Sequence, residues 1–381
     1  MSPAGPPIKI DTNWFGHNEL SREVYGVFGI PIDVVDMATA LSKIESAAVD
    51  RAPLLISTVN LNFLVTSQLD QEFRRSLLLS DLCTADGMPV VWLARLLGLP
   101  IRERVAGSDI FEKLLSTANP ARRLKVFLFG GAEGAAAAAC NKLNSESSGV
   151  TCVGSFYPGF TTVAEMSDAA IIDRVNASNA DFLVAALGAK KGQAWLLQNH
   201  DRIQIPARAH FGAAINFQAG TIKRAPTGMQ RWGFEWLWRI KEEPQLWKRY
   251  RDDGVAFLKL LLWRAFPLMV ITAWARVRLG RQGLVIERTE DQISVILGLK
   301  GVVLAHNIDQ VVASFQIALA ATKDVVINFS NTCVIDARFL GLLTMLHKQL
   351  AKRHLSLSIT RVPGRIERIF RLSGFEFLLR H

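Results

Sequence analysis

Four side chains stand where they could act together on one substrate. Thr58 and Asn60 close an apolar run that begins at Leu54, Asp86 ends a second run, Leu82-Cys83-Thr84-Ala85, and Arg104 lies three places before Gly107. A carboxylate can take a proton, a guanidinium can hold an anion, and a hydroxyl and an amide each donate and accept. The set fits an anionic, hydroxyl-rich substrate, with Asp86 as general base. The same aspartate could equally do no more than close a turn, because Asp before Gly87 and close to Pro89 is a common turn element.

For these groups to meet, both apolar runs must be buried parallel strands that stop at a common edge, since ligands of open α/β sheets bind outside the carboxyl ends of the strands. Gly87 permits a sharp turn, and Pro89 suits the first turn of a helix over Val90–Leu97. Helical spacing over Met37–Val49 and Asn62–Leu79 alternates with further strand-like runs at Lys125–Phe129, Val150–Gly154, Asp181–Leu187 and Ala209–Ala214. That alternation predicts an α/β, Rossmann-like, mostly parallel sheet covered on both faces. Val24–Val35 reads as a hairpin or edge strand with a structural role. Two turns stay ambiguous: Gly130-Gly131 could bring backbone N–H groups to a phosphate or be a tight connection, and Gln193 could reach the crevice or cap a helix over Ala194–Gln198.

With 381 residues, half of them apolar, the chain is no disordered protein and has room for two cores. Its charge of +10 is uneven, because residues 220–282 hold thirteen Lys/Arg against five acids, together with most of the nine tryptophans. Basic residues mixed with Trp suit a boundary that is apolar on one side and anionic on the other. Nucleic acid could attract the same mixture, but the segment runs on into Val255–Arg264 and an uncharged stretch, 265–275, which favours a membrane surface with Trp263, Arg264 and Trp274 in contact. Eleven uncharged residues interrupted by Pro267 fall short of the ~20 that span a bilayer, so a helix or hairpin lying on the membrane is expected. The alternative is a buried helix pair joining two domains.

The four cysteines are scattered without a C-x-x-C pair and read as reduced thiols of a cytoplasmic protein; Met1–Leu20 reads as a loose extension. After Gly280–Gly283 a smaller β/α unit follows, whose organising turn is Val334-Ile335-Asp336-Ala337-Arg338. The chain thus divides into 1–23, 24–220, 221–282 and 283–381. No D-x-D, H-x-x-x-H or G-x-S-x-G occurs, so neither a metal site nor a serine nucleophile is indicated, and no cofactor is expected.

Taken together, Thr58-x-Asn60, Ala85-Asp86-Gly87-Met88-Pro89, Arg104-Val105-x-Gly107, and the sequence from Gly212 through Lys223-Arg224-Ala225-Pro226, Glu235-Trp236-Leu237-x-Arg239 and Glu243-Pro244 to Tyr250 resemble the WecG/TagA/CpsF glycosyltransferases. The resemblance implies inverting, metal-independent transfer from a UDP-sugar to a polyprenyl-diphosphate-linked acceptor on the inner face of the membrane, in exopolysaccharide or envelope glycan synthesis. It makes Asp86 the base, places Thr58 and Asn60 in the donor pocket, gives Arg104 a phosphate, and closes Arg224, Arg231 and Arg239 over the diphosphate. Gln193 is carried over from a Pro-Lys-Gln-Glu turn that here reads Lys190-Lys191-Gly192-Gln193, and the acidic position of the Gly-Ala-Phe-Asp-Phe block is Asn216. A catalytically silent, sugar-nucleotide-binding scaffold is the alternative.

Residues 284–381 resemble a STAS domain through Val326-Ile327-Asn328-Phe329, Val334-Ile335-Asp336 and Phe339-Leu340-Gly341-Leu342-Leu343. The serine that such domains phosphorylate is Ala337, so docking, to a partner protein or to the transferase domain, is expected instead. Arg338, a cation where the helix dipole disfavours one, is expected to meet an anionic partner or Asp336, or else to lie in solvent.

Overall fold

The computed structural model describes residues 19–117, 123–146, 148–212, 214–220, 223–226, 228–229, 234–279 and 282–379. The chain opens with an antiparallel hairpin, β1 (Val24–Val27) and β2 (Ile30–Asp33), then α1 (Met37–Asp50), β3 (Leu54–Val59), α2 (Leu61–Leu69), α3 (Gln71–Leu78), β4 (Leu82–Ala85), α4 (Met88–Leu96) and α5 (Gly107–Ser116). Asp70 divides the helix expected over 62–79: its extended backbone ends α2, and its carboxylate accepts from Phe73 N–H at 3.0 Å to start α3. There follow β5 (Leu124–Gly130), α6 (Ala135–Ser145), β6 (Val150–Phe156), α7 (Val163–Met166), α8 (Ala169–Ala177), β7 (Phe182–Ala186), α9 (Ala189–Gln198), β8 (Ala207–His210) and α10 (Ala214–Gln218).

Six strands form one parallel sheet in the order β4-β3-β8-β7-β5-β6. α1, α5, α6 and α10 bury Ile44, Phe111, Leu143 and Ile215 on one face; α8 and α9 bury Val175, Trp195 and Leu196 on the other. The Gly130-Gly131 turn is the tight connection: Gly131 N–H donates to Ala186 O at 2.7 Å, and a side chain on Gly130, whose φ is +98°, would strike that carbonyl. Cys140 of α6 and Cys152 of β6 are disulfide-bonded, their Cα atoms 5.2 Å apart because α6 packs on β6. This corrects the reading of four reduced thiols; Cys83 and Cys333 are free.

Beyond α11 (Glu235–Glu242) the basic segment becomes one continuous helix, Pro244–Leu279, rather than a hairpin. It comprises α12 (Trp247–Leu260), a π turn at Leu261–Ala265 and α13 (Phe266–Leu279). Pro267, which has no N–H to give, stands in the first turn after the π turn and does not end the helix. By length and composition this helix could cross a membrane, more than the eleven-residue count suggested. One face, with Leu260, Ala265, Leu268 and Ala275, is buried; the other exposes Val255, Leu258, Leu262, Phe266, Val270, Trp274 and Val277 at steps of three or four. Trp263 is 75% exposed, whereas Arg264 turns inward and donates to Gln68 at 2.7 Å, so the two neighbours do not share one surface.

The C-terminal unit holds β9 (Leu284–Glu290), β10 (Ser294–Val303), α14 (Ile308–Ala320), β11 (Asp324–Ile335), α15 (Ala337–Lys352), β12 (Leu357–Thr360) and α16 (Gly364–Leu372), with sheet order β12-β11-β10-β9. It is fused to the first domain by packing. The hairpin lies between β4 and α15, every residue of both its strands buried. Asp336 caps α15 through Arg338 and Phe339 N–H, while Arg338 is itself buried and donates to Val24 O at 3.0 Å. Arg338 therefore neither lies in solvent nor waits for an outside anion; the transferase-side hairpin is its partner. Lys348 reaches Glu19 at 2.7 Å, Asp81 at 2.8 Å and Ser80 O at 3.0 Å. Glu19 and Leu20 are each 1% exposed, so the end of the segment read as a loose extension is anchored in the core.

Candidate active site

The site is built by the carboxyl ends of β3 and β4. Asp86 N–H donates to Val59 O at 2.8 Å, which ties the two strand ends together, and Gly87 at φ +105° turns the chain into α4. The segment before α5 is zipped along β4 by Val105 N–H to Ala85 O at 2.9 Å and Thr84 Oγ1 to Val105 O at 2.7 Å. That pairing sets Arg104 and Gly107 beside Asp86. The Thr58 hydroxyl and the Gly107 N–H lie close enough to the carboxylate to favour its charged form. Burial nevertheless pushes its pKa up to about 6, against the pull of Arg104 and with a further push from Glu235. A group titrating there is ionised at neutral pH, yet basic enough to take a hydroxyl proton.

Gly107 is required where it stands, because a methyl would overlap the Phe211 ring. Gly107→Ala is expected to cost ~1–3 kcal/mol by overpacking and to slow turnover by drawing the N–H away from Asp86. Denaturant melts and initial rates check both effects.

Arg104 is held between Asp109 at 2.5 Å and Glu235 at 2.9 Å, and Arg224 pairs with Asp109 and Glu112. Arg239 pairs with Glu243 at 2.6 Å and lies over the Phe217 ring. All three are engaged with protein carboxylates, so a diphosphate would have to compete for them. Asp109 and Glu235, which bind Arg104, had no role assigned from sequence; the visible signal was Asp109 two places after Gly107. Arg231 lies outside the described residues.

Asn60 caps α2, its Oδ1 accepting from Phe63 N–H at 3.0 Å, which leaves its Nδ2 hydrogens as the end a substrate could use. Gln193 is not brought to Asp86. It lies inside α9, 1% exposed, and exchanges hydrogen bonds with Ser57, whose side chain leaves β3 on the face opposite Thr58. Its two sequence readings, substrate contact and helix cap, both give way to a buried polar pair.

The model of the glycosyl transferase WecG/TagA/CpsF family matches residues 25–269, and that of the Mlab, STAS domain matches 286–380. The chain is similar to the N-acetylglucosaminyldiphosphoundecaprenol N-acetyl-beta-D-mannosaminyltransferase of Bacillus subtilis (strain 168), 26% identical over 230 residues that cover 58% of this chain and 85% of that protein. The identically named protein of Bacillus spizizenii (strain ATCC 23059 / NRRL B-14472 / W23) is 25% identical over 221 residues, 57% of this chain and 84% of that one. With Asp86, Thr58 and Arg104 gathered at one sheet edge, the chain belongs to the WecG/TagA/CpsF family of glycosyltransferases and carries a C-terminal STAS domain.

Proposed function

We propose that the protein transfers a sugar from a UDP-sugar to a polyprenyl-diphosphate-linked acceptor, with inversion and without a metal, as a step in exopolysaccharide or envelope glycan synthesis. The observation that carries this reading is the buried Asp86 carboxylate at the joined ends of β3 and β4, its pKa raised to about 6, with Thr58, Gly107 and Arg104 around it. Asp86 takes the proton of the acceptor hydroxyl, the oxygen attacks the anomeric carbon, and the bond to the nucleotide diphosphate breaks on the opposite side. Arg104 is placed to take the charge of the departing diphosphate by exchanging Asp109 or Glu235 for phosphate oxygen. The relatives' names supply the acceptor class, and an N-acetylmannosamine donor is the first to try.

The test is product formation by the full chain from a panel of UDP-sugars and a polyprenyl-diphosphate-linked N-acetylglucosamine acceptor, with EDTA present. Inverted product supports the reading. Nucleotide binding without transfer from any donor would favour the silent scaffold.

The exposed apolar stripe from Val255 to Val277, flanked by Lys259 and Arg278, supports a peripheral position with this helix lying on the inner face of the membrane. Trp263→Ser with Trp274→Ser is expected to reduce sedimentation with anionic vesicles several-fold, and salt to weaken what remains, because basic contacts are screened over ~8–10 Å. Undiminished sedimentation would end the interfacial reading. The STAS domain, turned by its α15 face toward the transferase, supports recruitment through its remaining surfaces.

A further inference from the structure

His210, the last residue of β8, has no part in the site described above. Its side chain is 5% exposed, and its Nε2 has no hydrogen-bond partner. A buried polar atom left this way costs stability unless something else satisfies it. The imidazole lies between the first turns of two helices. On the α9 side it takes the space of an absent side chain, for a Cβ on Gly192 would come within 2.8 Å of Nε2. On the α2 side it stacks on Phe63, ring centres 6.4 Å apart. A Cβ on Gly212, just past the strand end, would lie 3.3 Å from Cε1, so the ring reaches the carboxyl edge of the sheet.

Both helices begin at that edge. α9 starts from Gly188, which offers no side-chain cap, and α2 starts from Asn60. A helix start favours an anion, the start of α9 has no side-chain cap, and a neutral imidazole beside it can add an N–H donor. Burial holds His210 in that neutral form, its pKa lowered to about 4.

We propose that His210 is a further donor-binding residue, whose Nε2–H donates to a phosphate oxygen of the nucleotide sugar seated between the starts of α2 and α9. The proposal rests on the transferase reading above and adds a residue to it. The acceptor also carries a diphosphate, but its polyprenyl chain must stay in the lipid and keeps that group at the outer mouth. An enclosed imidazole belongs to the soluble substrate.

Titration calorimetry on the full-length protein, with UDP, uridine and farnesyl diphosphate as probes, tests the assignment in wild type, His210→Phe, His210→Gln and Gly192→Ala. His210→Phe should weaken UDP at least ~10-fold, as loss of a hydrogen bond to a charged group does. Uridine should bind it as it binds wild type, and farnesyl diphosphate should be unaffected. His210→Gln, which keeps an N–H donor, should recover most of the UDP affinity, and Gly192→Ala, which displaces the ring, should lose it. Equal UDP affinity in His210→Phe, or equal losses of UDP and uridine, would make His210 a space-filling residue and overturn the proposal. A selective loss of farnesyl diphosphate would overturn it too, by moving the residue to the acceptor. If the Phe variant does not fold, ¹⁵N-histidine spectra of wild type decide: the Nε2 resonance of His210 must move on adding UDP and stay put with uridine. Failure of wild type to bind UDP at all sinks the transferase reading itself, an outcome distinct from these.

Discussion

A chain ending at Leu279 is expected to lose its fold, not merely its C-terminal domain. Val24, Tyr25, Val27 and Phe28 of the hairpin share one core with Leu340, Phe370 and Phe375 across the boundary. Re-exposing four such side chains costs on the order of 6–12 kcal/mol, comparable with the whole stability of a domain at 5–15 kcal/mol. Truncation also strips Lys348 from Asp81 and Glu19. Soluble expression with a cooperative melt for residues 1–279 would show the interface to be dispensable. Lys348→Met isolates the ionic part and should cost ~3–5 kcal/mol by leaving buried carboxylates unpaired. Burial alone would raise Asp81 and Glu19, but Lys348 holds both below the usual carboxylate range. Depressed carboxyl groups stabilise above their unfolded pKa of ~4 and lose that contribution as pH falls through the folded value. The gap between wild type and Lys348→Met should therefore be widest near neutrality and close on acidification, as urea melts at several pH values would reveal.

The second large effect is on the chemistry. Asp86→Asn keeps the shape and one acceptor oxygen for Thr58 and Gly107 but cannot take a proton, and loss of a general base typically costs ~10²–10⁴-fold in turnover. UDP binding and the melting curve should be unchanged. In wild type, kcat/KM should rise with pH through about 6 and then level off, because the carboxylate is the active form and its pKa is raised to that value. Near-normal kcat in the variant, or a flat profile between pH 5 and 7, would remove Asp86 from the mechanism.

Much of the frame was legible because parallel strands announce themselves as apolar runs ending in polar groups. β3 and β4 run from Leu54 and from Leu82, as the sequence reading places them, and the crevice with Thr58 and Asp86 follows from their being neighbours. What stayed hidden depends on which face a side chain leaves by. Gln193 belongs to α9 rather than to a turn, so it meets Ser57 instead of the substrate, and no local pattern distinguishes the two. His210 was passed over because nothing around it in sequence says that Gly192 gives it room. The arginines were read as partners of phosphate; only tertiary structure shows Asp109 and Glu235 holding Arg104. Arg338 was misjudged for a related reason, since the carbonyl it binds is 314 residues away.

That separation shapes how the protein is made. The hairpin leaves the ribosome 314 residues ahead of the surface that covers it, the face of α15 with Arg338 and Gly341. At ~5–20 residues per second the wait is roughly 15–60 s, far longer than a hairpin or helix needs to form. Throughout it, Val24, Val27 and Phe28 have no lid, and Asp81 has no lysine. Until α15 arrives, the nascent chain presents an uncovered apolar face, the condition under which unfinished chains associate with one another.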